Sequence, residues 1–268
     1  MVTRRYIFLP KPRYPKIDFD EIQMYFGRPY VIDIKDAVGT VTVYAPQMKF
    51  IIETGQKKFN ETLNIFTTNT TAYKLLLWEN GIDWCELKDF ELFCMLYKNI
   101  NYDVSSLLFG DLDFSKFELR NKKIDEEHEA LTLWNEEQQV EINEDVYQHF
   151  HQYICTAMNI QPEEKFTFDK TMKEWFINSE RQKIHNAEAL NKKAEEYSIQ
   201  PLISACVNHP GFKYKLSEVE EMNVFEFYDS VKRLQVYENA TACLKGLFSG
   251  FVDGSKISSD QYNFMKEI

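Results

Sequence analysis

The stretch NVFEFYDSVKRLQVYENATACLKGLFSG (223–250) carries the marks of both ends of one long helix. Asn223 offers a side-chain oxygen to the first turn, and Glu226 follows at capping-box spacing. Gly250 stands where a helix ends on a residue that tolerates positive φ. Between them Phe227, Val231, Leu234, Tyr237, Thr241, Leu244 and Leu247/Phe248 recur at helical spacing and form one apolar face. Such a face is either the buried side of a core helix or a docking surface for another chain. On the second reading the candidate interaction surface comprises Phe227, Val231, Leu234, Tyr237, Leu244, Gly246 and Leu247.

The remainder of the chain divides by pattern. Pro10, Pro12 and Pro15 keep the N-terminal arm extended. YVIDI (30–34) and TVTVY (40–44) alternate apolar and polar residues around an Asp36–Gly39 turn, which predicts a β-hairpin. Helical periodicity begins after Pro46 and runs through Met48, Ile51, Phe59 and Leu63, with a break expected near Gly55. A second helix is expected from Asn69 or Thr70 to Gly81 and a third over Leu87–Tyr97, with Trp78 and Trp84 in their core. Phe117–Arg120, Ala130–Trp134 and Gln138–Ile142 predict a small antiparallel sheet, with the acidic stretch around Asp125–Glu127 as a solvated loop.

From Asn143 onward the pattern is almost wholly helical. Asn143 is expected to cap 144–158, and Asp169 a helix that buries both Trp175 and Phe176. A thin apolar stripe continues through 180–196, and a final turn is expected over 257–268. The fold class is α+β and mainly α, either divided into a mixed region (1–142) and a helical region (143–268) or formed as one continuous domain.

Charge and cysteine usage narrow the function. A net charge of −11 argues against general nucleic-acid binding, because phosphates would be repelled. Residues 1–17 hold Arg4, Arg5, Lys11, Arg13 and Lys16 without an acid, leaving −16 for the remainder. This basic arm either folds back on the acidic body or meets an acidic partner. The apolar run Tyr6–Leu9 stops at Pro10, too short for a secretory signal, and no run is long enough to span a bilayer. The 5 cysteines are scattered without CxxC spacing, which points to reduced thiols and a cytoplasmic site of synthesis.

No catalytic, cofactor or metal motif stands out. His149 and His151 fall on different faces of one helix, and neither HExxH nor a phosphate-binding glycine loop occurs. The stretch SACVNHPGF brings Cys206 and His209 close in sequence, but a catalytic Cys and His ordinarily meet through the fold, so a buried Cys beside a turn is the simpler account. No catalytic residue, no cofactor and no metal ligand is therefore expected.

Three blocks together, TTNTTAYKLLLWENGIDWCELKDFELF (67–93), LISACVNHPGFKY (202–214) and FYDSVKRLQVYENATACLKGLFSGFVDGSKI (227–257), resemble proteins of the structural-gene modules of phages and prophages of Gram-positive bacteria. The resemblance implies a role in virion morphogenesis, in tail or baseplate assembly. It implies phage tail or baseplate proteins as partners, and the bacterial host cytoplasm or the virion as location. It supplies no residue-level map of function. Two alternatives compete with a non-enzymatic assembly protein: a metal-dependent hydrolase or nuclease using scattered carboxylates and His209, and an adaptor or inhibitor of a host protein.

Gly246 lies inside the long helical stretch, where an exposed glycine costs about 1 kcal/mol relative to alanine. Its presence is expected to permit close approach of another backbone. Gly246→Leu should disrupt folding or partner binding; a variant with unchanged melting and unchanged assembly would show this segment to be a tolerant surface.

Overall fold

The computed structural model describes residues 14–123, 129–189, 198–250, 253, 255 and 257–266. Residues 14–20 lead into the short helix α1 (Glu21–Tyr25), capped by Asp20, and most of the basic arm with Pro10 and Pro12 lies outside the described residues. Strands β1 (Tyr30–Ile32) and β2 (Val41–Val43) then pair antiparallel, Val31 opposite Thr42, as the alternating pattern predicts. Helices α2 (Met48–Thr54) and α3 (Gln56–Thr67) follow, separated at Gly55, whose φ of 91° ends one helix and admits the next.

Helix α4 (Lys74–Glu79) begins later than the sequence suggests. Residues 69–73 are held in turns because their polar groups are bonded elsewhere. Asn69 Oδ1 accepts from the Ala72 amide, the Thr70 amide donates to Asp89, and Thr71 Oγ1 accepts from the Lys165 amide. Local side-chain bonds of this kind compete with helix initiation. Helix α5 (Asp89–Leu96) lies inside the expected third helix. Helix α6 (Tyr102–Phe109), capped by Asn101, had no distinct signal in the sequence.

The three-stranded antiparallel sheet has the order β3 (Glu118–Lys123), β4 (Glu129–Asn135), β5 (Val140–Ile142). Leu133 faces Leu119 on one side and Ile142 on the other. The expected loop at Asp125–Glu127 lies outside the described residues.

Helix α7 (Glu144–Ala157) starts where Asn143 Oδ1 accepts from the Val146 amide at 2.9 Å. It ends on the left-handed Asn159, where the Ile160 amide returns to the Cys155 carbonyl at 2.8 Å. Asp169 caps α8 (Lys170–Ala189) through the Met172 amide. The expected continuation through 190–196 lies outside the described residues. Helices α9 (Gln200–Val207), α10 (Leu216–Glu221), α11 (Val224–Phe248) and α12 (Ser259–Tyr262) complete the chain. The fold is α+β and mainly α.

The principal core runs from Met24 to Val231 and centres on aromatic rings. Phe66 of α3 meets Phe93, Phe109, Phe114 and Phe150 at centroid distances of 6.0, 5.1, 5.2 and 6.1 Å. Tyr147 of α7 joins the same group, tilted against Phe93 and edge-on to Phe150. A second cluster joins Leu77, Trp84, Leu92, Phe176 and Ile177, with Trp78 edge-on to Trp84 at 5.7 Å. Trp84 Nε1 donates to the Lys165 carbonyl, which satisfies the one polar atom of a fully buried indole. The expectation that α8 buries both of its aromatics is corrected: Phe176 is buried, whereas Trp175 is 61% exposed. The two residues are adjacent and so point to different sides of the helix.

Phe150 touches five other rings and has no accessible surface. Phe150→Ala should cost about 3–5 kcal/mol in urea unfolding, because the cavity left between rigid rings cannot collapse. A loss below about 1 kcal/mol would show that the ring cluster does not hold the core.

Candidate functional site

Asn223 fixes the start of α11. Its Oδ1 accepts from the Glu226 amide and its Nδ2 donates to the Tyr25 carbonyl, both at 2.9 Å. The backbone on either side is tied to the β2–α2 junction. Met48 N donates to Met222 O, and Val224 N donates to Pro46 O, each at 2.9 Å. The predicted cap is therefore also a tertiary clamp.

This clamp divides the predicted apolar face. Phe227 and Val231 are buried in the principal core. Leu234 is half-buried beside Gly211, where an added Cβ would stand 3.2 Å from the leucine Cδ1. Beyond that point the main core ends. Tyr237 is 48% exposed and meets Phe264 edge-on at 6.0 Å, and Arg233 Nη1 donates to the Phe264 and Lys266 carbonyls. Leu244, Gly246 and Leu247 are half-buried, and Phe248 at the tip is 88% exposed. The first two candidates of the stripe are thus core residues, and the available apolar surface lies on the distal part of α11, ending at Phe248.

A cleft of about 980 Å³ beside α3 has no counterpart in any local sequence motif. Its apolar floor is formed by Ile51, Phe59, Leu63, Met158, Ile199 and Val224. One wall is the turn that follows α3, with Thr68, Asn69 and Thr71. At its edge, Lys74 Nζ contacts Glu180 at 2.8 Å, tying α4 to α8. Glu180 is held below the usual carboxylate range chiefly by the hydrogen bond from Lys74. Residues from 51 to 228 converge here, so no local motif announces the cleft.

The Cys–His pairs are arranged differently from their sequence order. Cys206 is buried, which raises its thiol pKa, and His209 meets it through a backbone bond, His209 N to Cys206 O. His209 Nδ1 accepts from the Gly211 amide, and Nε2 lies 3.7 Å from Glu238 on α11. The side-chain pair in contact is Cys155 and His151, one turn apart on α7 at 3.9 Å. The Phe66 carbonyl, 2.8 Å from His151 Nδ1, can only accept, so this nitrogen carries the proton. Burial lowers the His151 pKa and pushes the Cys155 thiol up to about 12, leaving both groups neutral. Among the described residues, no group of three or more His, Cys, Asp or Glu could hold a metal ion. No helix among them is long and apolar enough to cross a membrane.

Alkylation with iodoacetamide at pH 8 should label the half-exposed Cys85 and Cys243 in the native protein. The buried Cys94, Cys155 and Cys206 should react only after unfolding. Fast native labelling of Cys155 would contradict the neutral pair on α7.

Comparison with known proteins places one part of the chain. No curated protein and no solved structure matches the sequence. Residues 191–268 match the family model described as YomV second domain, and YomV is encoded by a Bacillus prophage. The segment containing α9 to α12 is thus similar to a domain of phage origin.

Proposed function

We propose that this protein is a non-enzymatic virion-morphogenesis protein of a bacteriophage, a tail-assembly chaperone or a tail or baseplate component that acts by holding another chain. The observation that carries the reading is the match of residues 191–268 to the YomV second domain. The same segment contains the part of α11 that lies beyond the principal core and ends on the exposed Phe248. An apolar helix face of this kind suits helix-in-groove or helix-to-helix docking, in which side chains three and four residues apart anchor the contact. Partners are expected among phage tail or baseplate polypeptides, in the host cytoplasm or in the particle.

The test is recovery of a tagged full-length chain from cells producing the phage, together with mass spectrometry of purified particles. A specific tail or baseplate polypeptide should copurify. Phe248→Asp should abolish that recovery while shifting folding stability by no more than about 0.5 kcal/mol, as for other exposed positions. Full-length tails and normal infectivity after deletion of the gene would overturn the reading.

A further inference from the structure

The distal part of α11 is not bare. Helix α12 and the residues after it lie against α11, held by Arg233 and Tyr237. Arg233 Nη1 donates to the Phe264 carbonyl at 3.1 Å and to the Lys266 carbonyl at 2.8 Å. The Phe264 ring meets Tyr237 edge-on. The guanidinium grips main-chain oxygens, so this hold does not depend on which side chains the segment carries.

The segment is lightly anchored. Helix α12 has 4 residues, none of them buried. That is far short of the about 12–15 residues at which an isolated helix becomes even marginal in water. Phe264 is 46% and Met265 76% exposed even with the segment docked. Little apolar area is therefore withdrawn from water by the contact, and the hydrophobic gain is roughly proportional to that area. The start of α11 is the opposite case, fixed by Asn223 and by Phe227 and Val231 in the core.

The segment also sits where a docking chain would bind. Tyr237, Leu244 and Phe248 fall at helical spacing on one face of α11. A helix laid along that face must meet Tyr237, and Phe264 already stands there. We infer that residues 257–266 form an autoinhibitory cover, clasped by Arg233, that must leave Tyr237 before another chain docks along distal α11. The inference rests on the docking role proposed above and adds its regulation. A light clasp suits this purpose. A cover closed about nine-tenths of the time lowers the apparent affinity of the partner about tenfold, yet a partner offering a larger apolar face still displaces it.

The test places 3-fluorotyrosine at position 237 of the full chain and reads its fluorine resonance. The reference for the open form is Arg233→Ala/Phe264→Asp, in which clasp and ring contact are both gone. Arg233→Ala alone should move at least about half of the signal to the reference position while the melting temperature stays within about 2 °C. Arg233→Lys, a point donor in place of a planar fork, should fall between Arg233→Ala and the unaltered chain. The polypeptide that the tagged full chain recovers from phage-producing cells should be held about five- to tenfold more tightly by Arg233→Ala. Phe264→Asp, which leaves α11 itself unaltered, should give the same gain. An unchanged fluorine signal in Arg233→Ala overturns the inference. Equal or weaker capture by both variants leaves the docking role standing and overturns the cover alone. A host polypeptide held more tightly by the variants supports the cover and overturns the tail assignment. If neither the unaltered chain nor the variants capture any polypeptide, the docking role falls and the inference with it.

Discussion

The rings around Phe66 and Phe150 are the constraint on which the rest of the structure depends. Helices α3, α5, α6 and α7 and the turn at Phe114 each contribute a ring to one contact group. Edge-to-face packing contributes about 0.5–1.5 kcal/mol per pair beyond area burial, and it fixes relative orientation as well as distance. Phe59, Leu63 and Phe66 share one face of α3, so the same helix contributes to the ring cluster and, through Phe59, Leu63 and Asn64, to the lining of the cleft. The core takes up part of the high aromatic content of the sequence; among the described residues Phe26, Phe168, Trp175 and Phe248 are largely exposed.

Polar contacts then join distant parts of the chain to this core. Asn223 joins α11 to α1 with one side chain, while its neighbours bond the β2–α2 junction. Asp89 and Thr71 hold the 69–73 turn, and Trp84 holds the segment before α8. Tyr14 and Ile17 lay the extended N-terminal segment along α7 through Glu144 and Gln152. Each bond satisfies a group that folding would otherwise bury unpaired, so each specifies geometry more than it adds stability. The proximal part of α11 is consequently fixed, and its distal part is left as surface.

The local elements were legible in the sequence because their causes are local. The caps at Asn143, Asp169 and Asn223 each bond an amide three residues on, and Gly39, Gly55 and Gly250 adopt the positive φ that their positions call for. The hairpin and three-stranded sheet followed from alternation and turn chemistry. Errors arose where a remote partner overrode local preference. The TTNTT pattern predicts a helix start, yet its polar groups bond Asp89, Lys165 and Glu163. Trp175 was assigned to the core with Phe176, although one face of α8 could bury only one of them.

The long helix shows the same division. The sequence by itself determined its extent, because Asn223 and Gly250 act on amides and dihedrals within one turn of themselves. Only the tertiary structure decided which part of its apolar face is core, because that depends on where α2, α7 and the Gly211 turn end against it. Phe227 and Val231 lie in the principal core, whereas Phe248 is exposed. The cleft is likewise a tertiary product: its floor gathers Ile51, Met158 and Val224 from distant parts of the chain. Periodicity records that a residue prefers burial; the identity of what buries it is set by the packing of the whole chain.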